Sequence, residues 1–162
     1  MDHDQFKGKT ALVTGAGSGI GRELVYKLTS LGAHVIAVSQ TQSKLDSLKK
    51  ELGDRVETVC VDLGDWNATE TKLKPLCKQI DYLVNNAGYA YCSALWDMPK
   101  HEVDKTLDIN LKCPINLIRL VASGMKARKR GSIVNVSSVA SLLAIDEHIA
   151  YAASKAGLDM VT

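Results

Sequence analysis

The sequence is short of proline and of aromatic residues, carries almost no net charge and has no long apolar run. Its 162 residues include 3 Pro and 12 Gly, a balance that excludes a collagen-like or disordered chain. The 20 Lys and Arg face 18 Asp and Glu, leaving a net charge of +2. So small an excess gives no basic surface, and neither nucleic acid nor an acidic membrane is an expected partner. No window of about 18 apolar residues occurs, so no membrane-spanning helix is expected. Cys60, Cys77, Cys92 and Cys113 stand too far apart for a CxxC redox or zinc motif. His3, His34, His101 and His148 are scattered, without an HExxH pair, and no metal site is expected. Met1 to Gln5 is short and acidic, unlike a secretory or mitochondrial leader. A cytoplasmic chain with reduced, mostly packed thiols is the expectation.

What is present alternates. Apolar, β-branched runs at Thr10 to Val13, His34 to Ser39, Val56 to Val61, Ile80 to Val84 and Ile133 to Val136 read as five strands. Helical patterns separate them. One runs from Ile20 to Leu31 through Ile20, Leu24, Leu28 and Leu31, with Gly32 as its cap; another from Ser43 to Leu52 is closed by Gly53. A polar helix is expected over Asp65 to Gln79, a long one over about Lys100 to Met125, and a last one from about Ala150 to Thr162. Strand–helix–strand repetition at this spacing predicts right-handed crossovers and an α/β, doubly wound parallel sheet with helices on both faces. With no repeat or linker, residues 1–162 read as one domain.

Thr14 to Gly21 reads TGAGSGIG, after a strand and before a helix. Gly15 permits the tight turn, Gly19 lets a pyrophosphate approach the backbone, and Gly21 lets helix and strand pack closely. Ser18 and Ile20 belong to the same turn, where phosphates would meet N–H groups at the helix start. A glycine-rich turn without a ligand is the plainer alternative. The second strand ends in Ser39-Gln40-Thr41, with neither the carboxylate that holds the ribose hydroxyl of NAD nor an Arg. Hydroxyls and an amide there, with Lys44 nearby, favour the 2′-phosphate of NADP(H). Asp62, followed by Leu63, ends the third strand and reads either as an acceptor for the adenine amino group or as a cap or solvated turn. Asn86-Ala87-Gly88 follows the fourth strand and can line the same cleft.

Twelve residues separate Ser138 from Tyr151-Ala152-Ala153-Ser154-Lys155. Tyr151 and Lys155 are four apart and share one helix face. An ammonium one turn away favours a phenolate and moves a tyrosine towards acid/base work at neutral pH. Ser138, beyond the fifth strand, can hold a substrate oxygen beside it. Alone, such a Tyr/Lys pair is ordinary on a helix surface; with TGAGSGIG, Asn85-Asn86-Ala87-Gly88 and the upstream serine it becomes a catalytic pattern.

These motifs, with Asn110 in Asp108-Ile109-Asn110-Leu111, resemble the short-chain dehydrogenase/reductase family from about Lys7 to Thr162. The resemblance implies a Rossmann-type, NAD(P)-binding fold and a catalytic tetrad. Tyr151 would be the proton donor, Lys155 would bind the nicotinamide ribose, Ser138 would orient the carbonyl, and Asn110 would interrupt its helix to hold a water. The runs VIAVSQTQSKLDSL and ETVCVDLGDW are similar to the dicarbonyl/L-xylulose reductase branch, tetrameric NADPH-dependent reductases of ketoses, α-dicarbonyls and other small carbonyls. Ser18 and Gln40 stand where that branch tends to carry a Lys and an Arg. The resemblance also implies further strands after the YAASK helix. Since the chain stops at Leu158 to Thr162, a truncated reductase with the fifth strand as an exposed sheet edge is expected. A noncatalytic nucleotide-binding or interaction module and an NAD-linked alcohol dehydrogenase are the alternatives.

Overall fold

A computed structural model describes residues 3–162. Five strands, β1 (Thr10–Thr14), β2 (His34–Ser39), β3 (Val56–Cys60), β4 (Tyr82–Asn85) and β5 (Ser132–Asn135), form one sheet in the order β3-β2-β1-β4-β5. Every neighbouring pair is parallel. Between them run α1 (Gly19–Ser30), α2 (Gln42–Leu52), α3 (Trp66–Leu73), α4 (Lys100–Leu107), α5 (Cys113–Arg128) and, last, α6 (Ile149–Val161).

Alternate residues of the strands feed two separate cores. Ala11, Val13, Val35 and Ala37 pack with Val25 and Leu28 of α1 and Leu45 and Leu48 of α2. Leu12, Ile36, Val38 and Leu83 pack with Leu73 of α3 and Leu117 and Val121 of α5. Burial on both sides is why the central strands are continuous apolar runs rather than alternating ones. Each fully buried leucine contributes about 1.5–3 kcal/mol relative to exposure. The doubly wound α/β arrangement is therefore the observed one. β5 is an edge strand whose Val134 is 51% exposed. No helix of the described residues is long and apolar enough to cross a membrane.

Four local expectations need correction. The polar helix expected over Asp65 to Gln79 ends at Leu73 and resumes only as a 3-10 turn, Cys77–Gln79. Pro75 lacks an N–H and disfavours helix at the residue before it, which breaks the run. Ile20 lies 70% exposed; the buried face of α1 is Gly21, Val25, Leu28 and Thr29, because the helix presses its glycine against the turn below. The strand expected from Ile80 begins at Tyr82, since Asp81 is tied by its own N–H and its carboxylate to Thr10. The long helix over Lys100 to Met125 is interrupted by a π-helical turn, Asp108–Lys112, whose last N–H, from Cys113, reaches back five residues to the Asp108 carbonyl. Pro114 explains the interruption: it has no N–H to offer the carbonyl of Asn110, four residues earlier.

Candidate active site

The sheet order reverses between β1 and β4, and the loops that leave their carboxyl ends lie side by side. In open α/β sheets this crevice is where ligands bind. Thr14 fastens its two walls. Its hydroxyl accepts from the N–H groups of Asn86 (2.9 Å) and Ala87 (3.0 Å), and its carbonyl accepts from Asn86 Nδ2 (2.9 Å). The glycines are required by contact. A β-carbon on Gly21 would lie 2.6 Å from Asn86 Nδ2 and closer still to the Gly15 carbonyl oxygen. Gly15 and Gly19 have positive φ, +66° and +54°, which L side chains rarely adopt.

A cleft of about 330 Å³ opens above this turn. Gly15, Ser18, Ser39, Gln40, Thr41, Asp62, Leu63, Asn86, Ala87 and Gly88 all line it, together with Lys44. Gly19, Ile20 and Gly21 lie beside it, in the first turn of α1. Ser39 is buried and its hydroxyl accepts from Thr41 N–H at 3.3 Å, so Gln40, Thr41 and Lys44 are the groups there with freer donors. Asp62 takes the turn role, its Oδ1 accepting from Gly64 N–H at 2.9 Å, and the residue also lines the cleft. A dinucleotide fits this set, since crowded glycines leave backbone open to phosphate and no carboxylate stands at the end of β2.

Sequence reasoning missed Gly17, Val61, Tyr89, Lys105 and Ile109 in the same lining. Lys105 Nζ sits 3.9 Å from the ring centroid of Tyr89, whose hydroxyl donates to Glu102 at 2.7 Å. Tyr89 was within reach of the sequence, because it directly follows Asn86-Ala87-Gly88. Lys105 carried no signal, because its place depends on how α4 crosses the sheet edge.

The second group of residues converges at Gly88. A β-carbon there would lie 3.8 Å from Asn110 Oδ1 and 3.9 Å from Lys155 Nζ. Asn110, fully buried in the π-helical turn, grips the Tyr89 backbone: Oδ1 accepts from its N–H and Nδ2 donates to its carbonyl, both at 2.8 Å. Nδ2 also donates to Ser154 Oγ at 3.0 Å, fixing α6 to the turn. Lys155 is 4% exposed, and its Nζ donates to the Val136 carbonyl at 2.6 Å. Burial pulls its pKa below the ordinary lysine value, against the opposing pull of Asp159. Nζ lies 5.7 Å from the ring centroid of Tyr151, which is half-buried on the same helix. Ser138 has extended backbone and caps the 3-10 turn Val139–Ser141, its Oγ accepting from Ala140 N–H at 3.2 Å. Asn110 and Lys155 are thus brought together at the cleft, Tyr151 joins them through α6, and Ser138 stands at the head of the turn that packs on α6.

The short chain dehydrogenase family profile matches residues 9–162. The chain belongs to that family. It is 49% identical over 156 residues to L-xylulose reductase of Mesocricetus auratus, covering 96% of this chain and 63% of the relative. Carbonyl reductase [NADPH] 2 of Sus scrofa is 43% identical over 158 residues, 97% of this chain and 64% of the relative. The chain therefore spans a little under two thirds of the length of these relatives. A metagenomic short-chain oxidoreductase solved in complex with NADP superposes with a TM-score of 0.90 at 36% identity, covering 96% of this chain and 74% of that one. In this short-chain dehydrogenase the resemblance to xylulose and carbonyl reductases thus extends over nearly the whole chain.

Proposed function

We propose that this chain carries the site of an NADP(H)-dependent carbonyl reductase acting on small ketones and α-dicarbonyls, with ketoses such as L-xylulose among them. The observation that carries this reading is the meeting of Asn110 and Lys155 at Gly88, on the rim of the nucleotide cleft and on the helix that bears Tyr151. Relatives named L-xylulose reductase and carbonyl reductase support it. In this reading residues 1–162 act as one nucleotide-binding domain, in the cytoplasm and as part of a tetramer.

The turn Gly15, Ser18, Gly19, Ile20 and Gly21 would hold the pyrophosphate, and Asp62 and Leu63 the adenine. Gln40 and Thr41, with Lys44 and the buried Ser39 behind them, would take the ribose phosphate. Asn86, Ala87 and Gly88 would line the middle of the cofactor, and Tyr151 and Lys155 its nicotinamide ribose. When bound, the nicotinamide supplies the hydride. Tyr151 gives its phenolic proton to the carbonyl oxygen, and Ser138 donates a hydrogen bond to the same oxygen. Lys155, anchored on Val136, keeps its Nζ beside Tyr151 and Gly88. Asn110 holds the Tyr89 backbone, and its carbonyl, which Pro114 leaves without a helical donor, can accept from a water that refills Lys155.

Reduction of diacetyl by NADPH tests the assignment. Tyr151→Phe should lower turnover by about 10²–10⁴-fold while cofactor binding, read by fluorescence titration, is retained with a far smaller loss. Turnover at the parent rate would sink the mechanism. A higher kcat/KM with NADH than with NADPH would instead select the NAD-linked alcohol dehydrogenase. Because the chain spans 63% of its relative, a nucleotide-binding module without turnover is the second reading. Cofactor binding with no reduction by the unsubstituted chain would select it.

A further inference from the structure

Among the four cysteines the structure makes one unlike the rest. Cys77 and Cys113 are buried, and burial pushes their thiols up to about 11 and about 12. Cys60 is half-buried, and its Sγ–H points to the Gln40 carbonyl, which cannot take a proton. Cys92 alone is exposed, and its sulfur lies 3.2 Å from His148 Nε2. The other ring nitrogen, Nδ1, is 2.8 Å from the carbonyl oxygen of Asp146. A carbonyl only accepts, so Nδ1 carries the hydrogen and Nε2 presents a lone pair to the thiol. A thiol, a base and a group that orients the base are the parts of an activated sulfur nucleophile.

The pairing is fixed by backbone. Glu147 adopts a left-handed φ of +60°, and its carbonyl accepts from Ser93 N–H at 3.0 Å. That bond joins the residue after Cys92 to the residue before His148. His148 is the N-cap residue that precedes α6, and its ring meets Tyr151 edge-on, centroids 6.3 Å apart. An apolar groove of about 780 Å³ is walled by Ser93, Leu95, Leu143, Ile145, Glu147 and Ile149, among them the residues that directly flank Cys92 and His148 in the chain.

We propose that Cys92 and His148 form a thiol–imidazole pair that adds covalently to α,β-unsaturated carbonyl compounds whose hydrocarbon part lies in this groove. The thiol proton passes to His148 Nε2. The sulfur electron pair forms a bond to the β-carbon, and the π pair of the carbon–carbon double bond moves out as an enolate. The imidazolium returns the proton to the α-carbon, so S and H are added across the double bond and no oxidant or reductant is consumed. A thiolate is a soft nucleophile that suits this acceptor, and the apolar walls suit a ligand with little polarity beyond its carbonyl. The inference stands on the pair and the groove and does not require the reductase reading.

Methyl vinyl ketone is the probe, with labelling of each cysteine followed by peptide mass spectrometry. In the native chain Cys92 should react at least about tenfold faster than Cys60, and faster than the same cysteine in urea, where His148 is no longer held beside it. His148→Gln should remove that excess at Cys92 and leave Cys60 unchanged. Equal native rates at Cys92 and Cys60, or an undiminished Cys92 rate in the variant, would overturn the proposal. If the variant labels Cys77 or Cys113 it has unfolded, and the native-to-urea rate ratio at Cys92 of the unsubstituted chain decides. A ratio well above one supports the pair; one or below overturns it.

Discussion

Lys155 is the residue whose environment differs most from what its side chain prefers in isolation. It sits almost wholly buried, with Nζ committed to the Val136 carbonyl, and burial pulls its pKa down from the ordinary 10.5. The folded chain therefore releases this proton before the unfolded chain does. Between the lowered folded value and 10.5 the unfolded state binds more protons, so this group's contribution to stability improves as pH rises through that window. Below the window its full cost is present. The melting temperature of the native chain minus that of Lys155→Met should accordingly increase from neutral pH towards 10.5, measured by calorimetry. A flat or falling difference would mean that the ammonium is solvated. The spacing of Tyr151 and Lys155 made the pair visible in the sequence, but the burial of Lys155 comes from the neighbours it meets at β5 and Gly88.

At the scale of elements, the junction of β1 and α1 and the break between α4 and α5 set the site. Gly21 is where α1 presses on the turn, with Asn86 Nδ2 and the Gly15 carbonyl against any added β-carbon. Gly88 faces only ordinary contacts of 3.8 and 3.9 Å. Gly21→Ala should therefore destabilise the chain by about 1–3 kcal/mol, an overpacking cost. Gly88→Ala should move the urea midpoint far less, and equal shifts would contradict the packing. The glycine spacing was legible because φ requirements and close approach are written into residue type. Pro114 likewise announces a missing donor for Asn110, although the π-helical form of the break was not read from it. Ile20 misled, since a leucine-like spacing continues into a turn whose backbone is already fixed by glycine contacts.

For the molecule as a whole, the proposed cofactor site draws on the loops after β1, β2, β3 and β4, elements far apart in the chain. A ligand bound only when all four are in place stabilises the entire fold by mass action. NADPH at a hundredfold excess over its Kd should raise stability by about 2.7 kcal/mol, roughly 5–10 °C in Tm. NADH at the same concentration should raise Tm less, because nothing at the end of β2 offers its ribose a carboxylate. A larger shift with NADH would reverse the assignment of Gln40, Thr41 and Lys44.

The sequence alone determined the alternation of strand and helix, the glycine turn, the Tyr151/Lys155 pair and most of the cleft lining. These follow from local rules: apolar period, backbone freedom and i, i+4 geometry act over a few residues and leave their mark on residue type. Only the tertiary structure decided that Thr14 ties the two loops, that Asn110 grips Tyr89 and Ser154, and that Lys105 and Tyr89 enter the cleft. It alone set Cys92 against His148. Those partners are 16 to 73 residues apart in the chain, the closest being Tyr89 and Lys105 at 105 − 89 = 16. They meet because strand order and helix crossing bring distant loops to one sheet edge, and no local pattern encodes that meeting.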